Sequence, residues 1–433
     1  VRQSVAVWLQ DRLARRPGAA SAVLVESGDD VPHLPGRLVG RGETLRRARA
    51  LLDDGGRVLL QGFSGMGKSA LAATLAADWV DDGKGAVLWL HTGGEKAETT
   101  LQALARPLEG YQAVANAAEA DRLKAMRRLL EESGVSLVVL DDVWDGPALH
   151  QVLKAMPRRM PVLVTSQHRY ALDQIIEVGK LPPTEALALL GYYAGEDCAQ
   201  DEGAAELARQ LGYHAFALEV AGKTLKVDHI SPRDLLRRIS AAPHALAMPG
   251  AFAEEGRTSI TELLNASLFA LDEDARAVFL SFGVLFAPSA TPELMARCMG
   301  RDEAAVAETL TTLQRRGLAE RDQKSGYRVH DLAFSYATTI AAQGGRDRSP
   351  AVAACRAYTL AHEADPEPLE AELGNLLGAA DYAREHVDGA ALIEIVHALA
   401  GPYLSARGHT PAFLRLLDAA TGRCMTREPT GEW

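Results

Sequence analysis

At 433 residues the chain exceeds one ordinary domain, and three or four domains are expected. A hydrophobic content of 47% supports real cores, while 6% aromatics with abundant Ala and Leu favour helix. The formal charge of −11 argues against broad, nonspecific nucleic-acid binding but leaves a local basic patch open.

No run of about 18 apolar residues is present, so no membrane span is expected, and the N-terminus lacks a signal-peptide core. Cys198, Cys298, Cys355 and Cys424 lie far apart without metal-ligand spacing, and read as free thiols of a reducing, cytoplasmic compartment. The chain begins at Val1 and stops in a helical-looking region, so further segments are expected at either end.

In chain order, residues 1–20 hold an amphipathic helix candidate, VAVWLQDRLARR. Gly18 to Pro35, with Gly28-Asp29-Asp30 and two prolines, reads as a linker. A helix is predicted over Glu43–Leu52, ended by Asp53-Asp54-Gly55-Gly56. From 57 to about 180, strands alternate with helices: Val58–Gln61, Ala86–Leu90, Ser136–Leu140, Pro161–Thr165 and Ile175–Val178. The helix Glu119–Ser133 aligns Leu123, Met126, Leu129 and Leu130, and Gly134 closes it. Such alternation implies a parallel sheet covered on both faces, with ligands bound beyond the carboxyl ends of its strands.

After Pro182-Pro183 the strands stop. Helices are predicted over Thr184–Ala194, Glu202–Leu211 and Phe216–Thr224, and 241–258 reads as a connector. A helix near 272–283 takes Asp272 as N-cap, a second opens with Thr291-Pro292-Glu293, and a third runs Asp302–Arg316 to Gly317. Two short strands, Leu318–Arg321 and Tyr327–Val329, flank Asp322 to Gly326, and a helix starts near Asp331. Three helices, a hairpin and a helix outline a winged helix. Residues 350–433 read as helical, with Tyr403-Leu404 through Leu417 shaped like a helix–turn–helix repeat.

Two stretches carry chemistry. QGFSGMGKSA, residues 61–70, places Gly62, Gly67, Lys68 and Ser69 in the Gly-x4-Gly-Lys-Ser pattern, after a strand and before a helix. Glycines let the backbone wrap a polyphosphate, and the helix start directs N–H groups and partial positive charge at the anion. Lys68 suits the β- and γ-phosphates, and Ser69 suits Mg²⁺. The alternative is a chance glycine-rich turn. SLVVLDDVW follows, with Asp141 and Asp142 at the end of an apolar strand. Asp141 is the candidate Mg²⁺ partner and Asp142 the candidate for orienting an attacking water. Alone, the pair could equally be an acidic turn.

With these motifs in place, the chain resembles the NB-ARC branch of the STAND ATPases over about residues 36–345. GFSGMGKSALA and VVLDDVW resemble its first two motifs, PVLVTSQHR its third, LGYHAFALEVAG its GLPL motif and Val329-His330-Asp331 its MHD motif. Leu38-Val39-Gly40-Arg41 resembles the segment that contacts adenine. The resemblance implies a multidomain fold: an α/β P-loop NTPase domain with a parallel sheet (36–182), an all-α domain (183–250), a winged-helix domain (251–345) and a C-terminal helical region (346–433) that begins TPR-like repeats, after an N-terminal segment (1–35). It implies ADP/ATP and Mg²⁺ as cofactors. Nucleotide contacts carry over to Val39, Arg41, Gly62, Ser64, Gly65, Met66, Gly67, Lys68, Ser69 and Ala70. His330 would touch the ADP β-phosphate, with a surface or capping histidine as the plain alternative.

Two departures stand out. Gln167 occupies the place of the arginine that senses the γ-phosphate, and Arg169 comes two residues later. The proline that packs on adenine is replaced by Ala215, with Phe216 beside it.

The resulting expectation is a signalling switch, closed and autoinhibited as a monomer with ADP, that opens and self-oligomerises on exchange for ATP. A C-terminal signal ligand or protein would trigger it, and hydrolysis would be slow at most. The rival is a DNA-binding regulator, in which Arg315 and Arg316 face a major groove or a missing N-terminal domain binds DNA. The plain reading of those arginines is complementation of a helix C-terminal dipole. An ATP-driven enzyme acting on a separate substrate lacks any nucleophile–base constellation to support it.

Overall fold

Apolar side chains on both faces of the sheet decide where the first unit puts its helices. The computed structural model describes residues 22–27, 31–32, 34–172, 174–241, 257–321, 326–386 and 389–400. These fall into two units, one ending at Gly179 and one beginning at Lys180. The N-terminal helix candidate, the 242–256 part of the connector, the hairpin tip at 322–325 and the repeat at 403–417 lie outside the described residues.

The first unit comprises β1 (Val23–Val25), α1 (Gly42–Asp53), β2 (Arg57–Gln61), α2 (Lys68–Asp81), β3 (Ala86–Gly93), α3 (Ala97–Ala105), α4 (Gln112–Ala115), α5 (Glu119–Glu132), β4 (Val135–Val143), α6 (Gly146–Ala155), β5 (Val162–Ser166) and β6 (Gln174–Glu177). The sheet order is β1-β3-β4-β5-β2-β6, with all neighbours parallel except β1 against β3. Leu59, Leu88, Leu90, Val138, Leu140, Val162 and Val164 pack on one face with α3, α5 and α6. Val58, Leu60, Val87, Trp89, Leu137, Val139 and Leu163 face the other way, onto α1 and α2. Two-sided burial of this kind is what a parallel sheet requires.

Strand β1 corrects the linker reading of Gly18–Pro35. Val23, Leu24 and Val25 pair with Trp89, Leu88 and Val87, and Val25 is fully buried. Three residues among turn-formers give no usable alternation.

The second unit begins with α7 (Pro183–Ala194), α8 (Glu196–Ala199), α9 (Glu202–Gln210), α10 (Ala215–Asp228) and α11 (Pro232–Ala241). Next come α12 (Arg257–Phe269), α13 (Glu273–Phe282), β7 (Ser289–Ala290), α14 (Pro292–Met299), α15 (Glu303–Arg315), β8 (Glu320–Arg321), β9 (Tyr327–Arg328) and α16 (Asp331–Gln343). The predicted caps form: the side chains of Asp272 and Thr291 accept from the N–H groups of Ala275 and Leu294. Asp302, predicted inside its helix, is instead its N-cap and accepts from the Ala305 N–H. The two hairpin strands are joined by β7, giving a three-stranded antiparallel sheet in the order β7-β9-β8.

The chain continues with α17 (Ser349–Ala361), α18 (Pro366–Ala371), α19 (Leu373–Glu385) and α20 (Gly389–Ala400). A buried polar network stitches α19 to the segment leading into α14. Asn375 accepts from the N–H groups of Phe286 and Ala287 at 3.0 and 2.8 Å, and donates to the Ser289 carbonyl at 2.7 Å and to Glu372 at 2.8 Å. Glu372 also accepts from the Thr291 N–H. Both side chains are buried, so these bonds satisfy groups that water does not reach.

No helix among the described residues is long and apolar enough to cross a membrane. Cys198, Cys298 and Cys355 are free thiols.

Candidate functional site

The loop between β2 and α2 is fixed by close backbone contacts at its start and left-handed glycines along it. The Gly62 N–H donates to the Ser166 carbonyl at 3.1 Å, and the Val178 N–H donates to the Gln61 carbonyl at 2.7 Å. A Cβ on Gly62 would lie 2.2 Å from the Val178 carbonyl oxygen, so only glycine fits. Gly67, at φ 89°, is the N-cap of α2. The helix start therefore presents backbone N–H groups to the loop, a ready anion site.

Two buried cations brace the loop. Lys68 Nζ donates to the Phe63 carbonyl at 2.9 Å, across the loop it belongs to. Arg41 Nη2 donates to the carbonyls of Met66 at 2.8 Å and Gly179 at 2.6 Å. Burial lowers the pKa of the Arg41 guanidinium. Ser64 and Gly65 in the loop and Ser69 and Ala70 in the first turn of α2 are half-buried, as is Val39 ahead of α1.

The two carboxylates differ sharply. Asp141 is buried, and its Oδ1 accepts from Ser69 Oγ at 2.9 Å and Thr165 Oγ1 at 2.6 Å. His91 Nδ1 lies 3.4 Å from Oδ2, and Thr92 Oγ1 donates to the Asp141 carbonyl at 2.9 Å. Burial pushes the carboxyl up, but the bonds from His91, Thr165 and Ser69 outweigh it and hold the group well below the ordinary carboxylate range. Asp142 is half-buried with a left-handed backbone, φ 54°. Its N–H donates to Thr165 Oγ1 at 2.8 Å, and its Oδ2 accepts from the exposed Trp144 indole at 2.8 Å.

Motif reading missed His91, Thr92 and Thr165. Parallel register contained the signal for the first: Val87–Leu90 is an apolar run like Leu137–Leu140, and the next residues, His91 and Asp141, pair.

Past β5, the Gln167 carbonyl accepts from Gln61 Nε2 at 3.2 Å, and the His168 N–H donates to Ser166 Oγ at 3.0 Å. Arg169 comes after this turn and is exposed. In the second unit, Ala215 and Phe216 open α10, and the Phe216 ring stacks on His330 with centroids 4.0 Å apart and planes 21° apart. His330 Nδ1 accepts from the Leu332 N–H at 3.2 Å, which makes His330 the N-cap of α16.

Residues 44–197 match the NB-ARC domain. That domain is a P-loop ATPase family, and its span takes in β2, the loop, α2 and β4 with both carboxylates. No curated protein matches the chain. Among solved structures, a Walker-type ATPase of Pyrococcus abyssi is similar at 13% identity over 75% of this chain and 98% of that one, with a TM-score of 0.35. Cdc6p from Pyrobaculum aerophilum reaches 14% identity over 75% and 100%, with a TM-score of 0.37. The ORC2 protein of Aeropyrum pernix reaches 16% over 73% and 98%, with a TM-score of 0.34. Likenesses this distant carry no argument about function.

The residues of the NB-ARC segment fit a magnesium–nucleotide pair. A buried, ionised carboxylate stands 2.9 Å from a hydroxyl at the start of the phosphate-loop helix. One carboxylate and one hydroxyl are the protein share that Mg²⁺ takes when phosphates and waters complete its shell.

Proposed function

We propose that the chain is an ADP/ATP-dependent switch of the STAND type. With ADP it is closed and monomeric; exchange for ATP opens it and allows self-association. The observation that carries the nucleotide part is the 2.9 Å bond from Ser69 to Asp141, which ties the phosphate loop to a carboxylate two strands away in the sheet. Ser69 and Asp141 would hold Mg²⁺, which neutralises phosphate charge when bound. Lys68 and the first N–H groups of α2 would hold the phosphates, and Val39 and Arg41 would flank the base. Phe216 and His330 would contribute from the helical unit in the ADP state, through a winged-helix module over 251–345. TPR-like helices beyond 346 would receive the signal.

A nucleotide shifts such a switch only by how much better it binds one state. Hydrolysis has the least support among these functions. Gln167 carries no charge, Arg169 is exposed beyond a turn, and Asp142 is the residue left to orient a water.

The DNA-binding reading loses one of its two arginines. Arg316 Nη1 pairs with Asp228 at 2.8 Å and is largely buried.

The test is the nucleotide that copurifies, followed by size-exclusion chromatography after exchange. Bound ADP in a monomer, and a larger species with a non-hydrolysable ATP analogue, is the expected result. Lys68→Ala is expected to copurify with none; full occupancy in that variant would sink the site assignment.

A further inference from the structure

His91 lies beside the phosphate site, yet the nucleotide-binding roles above leave it without one. Along β3, Val87, Trp89 and His91 share the sheet face that packs on α1 and α2, and along β4 Leu137, Val139 and Asp141 do the same. Ser69 is in the first turn of α2 on that face. Register therefore brings imidazole, carboxylate and hydroxyl together. The His91 side chain is 43% exposed while Asp141 is 3% exposed, so the histidine is not there to fill a core.

The two oxygens of Asp141 are divided among partners. Ser69 and Thr165 take Oδ1, and His91 stands 3.4 Å from Oδ2. The bonds to Oδ1 resist rotation about Cβ–Cγ but anchor only one oxygen, and a partner on Oδ2 adds a second point that fixes the carboxylate plane. Loss of a group that orients a ligating residue through its other atom typically costs about 10–100-fold in metal affinity.

We infer that His91 is a positioning residue for Asp141, fixing the carboxylate for Mg²⁺ so that the Mg²⁺-dependent part of nucleotide affinity depends on this side chain. The inference rests on the magnesium–nucleotide reading of the site.

The test is calorimetric titration of the nucleotide-free full chain with ADP, in Mg²⁺ and in EDTA. The wild type is expected to bind more tightly in Mg²⁺. His91→Ala is expected to lose about ten-fold or more of that gain, with its EDTA affinity and melting temperature little changed. His91→Asn, whose amide also donates, is expected to restore most of it. If the alanine variant does not fold, His91→Phe, which keeps a ring without a donor, is compared with His91→Asn instead. An undiminished Mg²⁺ gain, an equal loss in Mg²⁺ and EDTA, or no rescue by asparagine overturns the inference and leaves the nucleotide site standing. A wild type indifferent to Mg²⁺, or a Lys68→Ala variant that binds ADP normally, overturns the site reading and the inference with it.

Discussion

The rings of Phe216 and His330 stack 4.0 Å apart, joining the first turn of α10 to the N-cap of α16. The histidine thus has two duties in one position: its Nδ1 caps a helix while its face packs on an aromatic. A double-mutant cycle with Phe216→Ala and His330→Ala is expected to give a coupling of about 0.5–1.5 kcal/mol, read by chemical denaturation. Additive effects would show that the stack contributes nothing. His330→Ala is also expected to shorten ADP retention and raise the hydrodynamic radius.

Gly62→Ala is expected to destabilise the first unit. Its Cβ would meet the Val178 carbonyl oxygen at 2.2 Å and the carbonyl carbon at 3.2 Å, both backbone atoms that cannot swing aside. Forced overpacking costs about 1–3 kcal/mol, and here β6 must shift to relieve it. A melting temperature equal to wild type would contradict the contact.

Arg316→Ala separates the two readings of that helix end. Asp228 accepts from Arg316 at 2.8 Å and Arg238 at 2.6 Å, with its own side chain 9% exposed. The loss is expected to stay below the about 3–5 kcal/mol of an outright broken buried pair, because Arg238 remains. Denaturation should register that loss. A mobility-shift assay with duplex DNA at low salt should show no binding by wild type or variant.

Acid is expected to loosen the joint between α14 and the end of α17. Burial pushes the Glu293 carboxyl up, but bonds from His362 and Arg297 outweigh it and hold the pKa below its ordinary value. A depressed carboxyl stabilises the fold above its unfolded pKa of about 4.3, and that stabilisation fades as pH falls through the lower folded value. The stability difference between wild type and Glu293→Gln should therefore be full near neutrality and vanish on acidification below about pH 4. A difference that persists unchanged into acid would remove Glu293 from the joint.

Much of this architecture is legible from residue pattern because the chemistry restricts the choice. A phosphate loop must have Gly62 where Val178 leaves no room, and Asp141 must come after an apolar run to reach the site. Helix caps such as Asp272 and Thr291 announce themselves because their oxygens replace missing backbone partners. What escapes is set by pairing between distant segments. Val23–Val25 is too short to show a period, and its burial comes from β3. Strand β7 is two residues long and exists because β9 lies beside it. His91 belongs to no motif; its importance appears only when β3 and β4 are set in register. Phe216 and His330 each stand out in the sequence as candidate contacts, but nothing in either segment announces that their rings meet.

The Asn375 amide decides where this chain can be shortened. Its oxygen is the acceptor for two consecutive N–H groups, Phe286 and Ala287, in a segment nearly ninety residues earlier. A fragment ending before α19 loses both bonds, at about 0.5–1.5 kcal/mol each. The start of α19 thus supports the segment that carries β7, and a trimmed version is expected to need Glu372 and Asn375 to hold that segment in place. The Glu372 and Asn375 side chains tie the start of α19 to the residues that open α14.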